Sequence, residues 1–72
     1  MAITDDQLRN WFTYHGPQPP DLVAYEKIRT AGLELARAIL ACTPASADQT
    51  AAIRKVREAV MTANAARACQ GQ

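Results

Sequence analysis

The chain has 72 residues with eight basic and seven acidic side chains, one His and two Cys, for a formal charge of +1. A chain this short buries only about 60% of its unfolded surface, so one domain with a marginal core is the upper bound, and help from a staple or other subunits is expected. The near balance of charge argues against coating long nucleic acid, which wants a strongly basic surface, while a small anionic ligand needs only local positive charge. Cys42, Cys69 and His15 occur without CxxC or HxxxH spacing, so neither a metal site nor a cofactor motif is expected. No run of about 18 apolar residues offers a membrane span, and MAITDDQLRN lacks the basic start and apolar middle of a signal peptide. These features predict a soluble intracellular protein with reduced thiols.

In chain order, Thr4-Asp5-Asp6-Gln7 supplies a capping residue, acidic first-turn residues and an amide three positions on, so a short helix is expected over about 4–13. Gly16, Pro17, Pro19 and Pro20 then break regular helix and favour an extended connection over about 14–19. The stretch NWFTYHGPQPPD thus gathers the only Trp, the only Phe, one of two Tyr, the only His and three of four Pro at the mouth of the next helix.

That helix is expected over about 20–42, with Pro20 and Asp21 suiting its first turn and Tyr25, Ile28, Gly32, Leu35 and Ile39 spaced along one face. Leu22, Leu33, Ala36 and Leu40 form a second apolar row beside it. The combined face is wider than one partner helix covers. Either oligomerisation or packing on the hairpin partner and the N-terminal arm accounts for it.

Thr43-Pro44-Ala45-Ser46 ends that helix and starts another over about 46–69, capped near Ser46 with Gln49 at the capping-box position. Ile53, Val56, Val60 and Ala63 form its core stripe, and its alanines allow close approach. Two helices of equal length joined by a short turn make an antiparallel hairpin. The fold class is therefore all-α: a short N-terminal helix plus an antiparallel helical hairpin. Cys42 lies at the hairpin's closed end and Cys69 near its open end, roughly 30 Å apart at about 1.5 Å per residue. No intramolecular disulfide spans that distance.

Catalysis is not expected. His15 is the sole imidazole, no Ser or Cys sits in a nucleophile context, and Glu26, Glu34 and Glu58 read as solvent-facing. Lys27 and Arg29, with Arg37 two turns on, read as solvated charge unless their place near Trp11, Phe12, Tyr14 and His15 is used. Aromatic faces beside cations are what a nucleotide needs, stacking for the base and forked donors for the phosphate. On the last helix, Arg57 and Asn64 are seven apart and share a face with Met61. Asn is a poor helix-interior residue unless its amide finds a partner, so Asn64 either bonds across a helix interface or faces a ligand.

The segments FTYHGPQP, AYEKIR and AIRKVREAVMTANAARA resemble the phage-encoded cyclic-nucleotide sponges that block CBASS and Thoeris immunity, whose hairpin reads approximately YHPP, YExIR and LxxxEEAxMWANAAIAR. The match covers about residues 12–68, and ANAA after a Met is its most specific part. Gly16 replaces a usual Pro, Thr62 a frequent Trp, and Arg57-Glu58 two acids.

The resemblance implies a helical protomer that assembles, commonly as a hexamer, in the cytoplasm of the infected bacterial host. There it would sequester cyclic oligonucleotides, such as 3′,3′-cyclic GMP-AMP, without cleaving them. It implies Tyr14 as the stacking residue with Phe12 or His15 beside it, Lys27 and Arg29 on phosphates, and Thr30 as an added hydroxyl. It implies also a separate cyclic-trinucleotide pocket, to which Arg57, Asn64 and Arg67 fall by position. The alternative is a structural or adaptor hairpin that mediates protein–protein oligomerisation, its aromatic segment plugging the open end.

Overall fold

The computed structural model describes residues 2–71 and contains three helices and no strand among them: α1 (Asp5–Trp11), α2 (Pro19–Cys42) and α3 (Ala47–Ala68). No helix of the described residues is long and apolar enough to cross a membrane.

Thr4 stands outside α1 as its cap. Its Oγ1 accepts from the Gln7 N–H at 3.1 Å, while Gln7 Oε1 accepts from the Thr4 N–H at 2.9 Å, so two of the orphan donors at this helix start are used. Asp5 and Arg9 pair at 2.8 Å one turn apart on the exposed face. The last helical residue is Trp11, and Phe12 closes the helix by donating its N–H to the Leu8 carbonyl at 3.0 Å.

The Pro pair sits at the first two positions of α2, where the missing N–H groups cost nothing. Gln18 is the extended cap, and its N–H is taken by Asp21 Oδ2 at 3.0 Å. At the other end, α2 stops as Thr43 turns extended before Pro44. Ser46 Oγ caps α3 by accepting the Gln49 N–H at 3.1 Å. The Gln49 amide does not complete a capping box. It donates across the turn to the Thr43 carbonyl at 2.9 Å and to Thr43 Oγ1 at 3.1 Å, satisfying an acceptor left at the end of α2.

α2 and α3 pack antiparallel through half-buried Tyr25, Ile28, Gly32, Ala36 and Ile39 on one side and Ile53, Val56, Val60 and Ala63 on the other. Leu35, expected in this seam, is 53% exposed and Ala36 takes its place. The helices approach closely at Gly32, where a Cβ would lie 2.5 Å from Val60 Cγ2. From that contact the inner side of α2 continues four residues on to Ala36, and Leu35 is rotated to the flank beside Ala59.

Asn10 ties α1 to the end of the hairpin. Asn10 Nδ2 donates to the Cys69 carbonyl at 3.1 Å, and the Asn10 carbonyl accepts from His15 Nε2 at 2.7 Å. α3 ends with the Gly71 N–H donating to the Ala66 carbonyl at 2.8 Å and Gln70 in the left-handed region at φ 55°. That is the geometry of a Schellman stop. Cys42 and Cys69 are both free thiols at opposite ends of the hairpin.

Candidate functional site

A cleft of about 620 Å³ opens at the end of the hairpin away from the α2–α3 turn, lined by Tyr14, His15, Gly16, Gln18, Asp21, Tyr25, Arg67, Ala68 and Gln70. Three parts of the chain build it. The extended segment before α2 brings Tyr14 and His15, fixed by the His15–Asn10 bond. The first two turns of α2 bring Asp21 and, one turn further along the same face, Tyr25. The last turn of α3 brings Arg67.

Arg67 Nε donates to Asp21 Oδ1 at 2.9 Å, joining the start of α2 to the end of α3. With Oδ2 on the Gln18 N–H, both carboxylate oxygens are engaged. The Gln18 hydrogen bond is the larger cause holding the Asp21 carboxyl below its ordinary value of 3.8, burial opposes it, and Arg67 adds to the lowering. A folded pKa below the unfolded one gives stability that is present above pH 3.8 and is lost as pH falls through the folded value. The acid limb of a stability–pH curve is therefore expected to flatten in Asp21→Asn. Urea midpoints between pH 2 and 5 measure this, and superimposable limbs for the two proteins would contradict it.

The residues singled out in the sequence are distributed over several places. Tyr14 and His15 share the cleft with Arg67, which by position had fallen to a separate trinucleotide pocket. Arg29 and Arg57 lie together on a second, smaller cleft of about 270 Å³ along the hairpin, with Gly32, Leu33 and Met61. Phe12, Lys27 and Thr30 are exposed and line neither cleft. Asn64 is half-buried, and its Oδ1 is enclosed with no hydrogen-bond partner among the described residues. Its oxygen thus makes no bond across the hairpin among the described residues.

The sequence did not point to Asp21, Tyr25 and Gln18 as lining this site or to Asn10 as the support of His15. Asp21 carried a helix-start signal and Tyr25 a core-stripe signal, each of which hides a second role. No group of three or more His, Cys, Asp or Glu side chains suited to a metal occurs among the described residues.

A family model described as "Acb2/Tad1, hairpin domain" matches residues 4–68, which is nearly the whole chain. The chain belongs to the Acb2/Tad1 hairpin family. This is the anti-CBASS and anti-Thoeris sponge family, as the Tyr-His, YEKIR and ANAA segments imply. Comparison with curated proteins and with solved structures gave no match. The Acb2/Tad1 match runs from the Thr4 cap through the end of α3, so it takes in all three elements that build the cleft.

Proposed function

We propose that this protein is a phage anti-defence sponge that sequesters cyclic oligonucleotide immune signals without cleaving them. The convergence of Tyr14, Tyr25, His15 and Arg67 on one cleft, in a member of this family, carries the reading. Two phenol rings offer faces for bases, at about 1–3 kcal/mol per stacked base. A guanidinium offers a fork to the phosphate. Cyclic dinucleotides such as 3′,3′-cyclic GMP-AMP are the ligands proposed for this cleft.

Self-association completes the site. No side chain among the described residues is fully buried, while Leu33, Leu35 and Met61 are each at least half exposed. A hairpin with so little shielded apolar surface gains most of its stability from other copies, and a symmetric ligand suits a symmetric interface. Exposed Phe12, Lys27, Arg29 and Thr30 are then free to reach a ligand held mainly by a neighbouring subunit. Arg57 with Arg29, and the half-buried Asn64 side chain, are the proposed contacts for a cyclic trinucleotide. A hexamer is the proposed assembly, acting in the cytoplasm of the infected host.

Capture of this kind depends on protein abundance and slow release, because no turnover occurs. Titration calorimetry with 3′,3′-cyclic GMP-AMP and a cyclic trinucleotide, coupled to native mass measurement, tests the proposal. Saturable binding to an oligomer, with intact ligand recovered after denaturation, is the expected result. An oligomer that binds neither ligand would leave the adaptor hairpin as the better reading.

A further inference from the structure

We infer that Asp21 is a specificity-determining residue of the Tyr14–Arg67 cleft, holding Arg67 ready for a singly charged phosphodiester and disfavouring a doubly charged terminal phosphate. The inference rests on reading that cleft as a dinucleotide site.

Arg67 gives its Nε–H to Asp21 Oδ1 at 2.9 Å. The two Nη groups make no hydrogen bond with the described residues, so the outer edge of the guanidinium is left to fork a pair of phosphate oxygens. Asp21 cannot swing out of the way, because Oδ2 is held by the Gln18 N–H at 3.0 Å. A fixed negative charge therefore stands behind the one Lys or Arg side chain that lines the cleft.

The two charges act differently on different ligands. A phosphodiester carries one negative charge, contacts the guanidinium directly and feels the carboxylate at longer range. A terminal phosphate carries about −1.5 to −2 near neutral pH, and its extra charge is attracted by the nearer Arg67 while Asp21 offsets much of that attraction. Cations supplied by another subunit are the same with and without Asp21, so a change in ligand preference on removing its charge is assigned to Asp21. Hydrolysis of one bond of a cyclic dinucleotide creates such a terminal phosphate, so Asp21 lowers the cleft's attraction for a cut signal relative to an intact one.

The test compares a cyclic dinucleotide with its linear 5′-phosphorylated form, by calorimetry at low salt, in the wild type and in Asp21→Asn. The variant retains an oxygen for the Gln18 N–H but loses the charge and the acceptor of the Arg67 Nε–H. The ratio of cyclic to linear affinity is expected to fall by about three- to tenfold in the variant. A role confined to folding or to positioning Arg67 would weaken both ligands alike, so an unchanged ratio overturns the inference while leaving the sponge reading intact.

A second comparison holds the skeleton fixed. The linear dinucleotide with its 5′-phosphate capped as a methyl ester carries one charge fewer, and the uncapped form is expected to gain about three- to tenfold on the capped one when Asp21→Asn replaces wild type. An unchanged ratio overturns the inference. Failure of wild type to bind any of these ligands overturns both the inference and the cleft's assignment as a dinucleotide site.

Discussion

Tyr14→Ala is expected to weaken binding of 3′,3′-cyclic GMP-AMP at least tenfold while leaving the thermal midpoint unchanged. Tyr14 is 85% exposed at the edge of the cleft, in the extended segment before α2, so truncating it removes little packing. A ring exposed on the same cleft as Arg67 has little to do for the fold and much to offer a base. Stacking is worth about 1–3 kcal/mol per base, and a ligand with two-fold symmetry can use the same tyrosine of two subunits. Calorimetry reads the affinity, and circular dichroism at matched protomer concentration reads the midpoint. Unchanged affinity would reject the stacking role. A lowered midpoint would show that Tyr14 belongs to the scaffold instead.

The helical elements were legible because their signals are local. Thr4 and Ser46 mark helix starts through hydrogen bonds that span three residues, the Pro pair before Asp21 through its fixed φ, and the Thr43-Pro44 stop acts on adjacent residues. The cleft was legible only in part. Tyr14 and His15 stood out as aromatic residues in a Pro-rich segment, but their cation was sought on the nearest stretch of helix, at Lys27 and Arg29. The cation that lines the cleft is Arg67, from the far end of the chain.

Hairpin geometry carries the missing information. Asp21 meets Arg67, Gly32 meets Val60 and Leu40 meets Gln49, so facing residue numbers add to about 90. That register assigns Arg67 to the start of α2 and Arg57 to its middle. Asn10 had no such signal. Its contacts depend on how a short helix folds back on the end of α3, which no periodicity within either segment encodes.

Gly32→Leu is expected to remove most of the protomer's stability. α2 and α3 come close at Gly32, where the first side-chain carbon alone would meet Val60 Cγ2 at 2.5 Å, far inside van der Waals contact. Val60 is β-branched and holds essentially one rotamer in a helix, so its methyl group cannot swing clear, and the helices must separate. An exposed Gly→Leu change would add nearly 1 kcal/mol of helix preference, but overpacking a close contact costs about 1–3 kcal/mol even for a few methylenes. Leu adds four carbons at this contact. Total stability for a domain of this size is on the order of 5 kcal/mol, so the loss is expected to be nearly complete. The α2–α3 seam also sets the distance between Asp21 and Arg67, and ligand binding is expected to fall with the fold. Thermal melts at fixed protomer concentration measure the effect, since assembly makes the midpoint concentration-dependent. Adding Val60→Ala opens the space that Leu needs and should recover part of the midpoint. A Gly32→Leu protein that melts like wild type would mean that α2 and α3 do not meet at this register, and the cleft built on that register would fall with it.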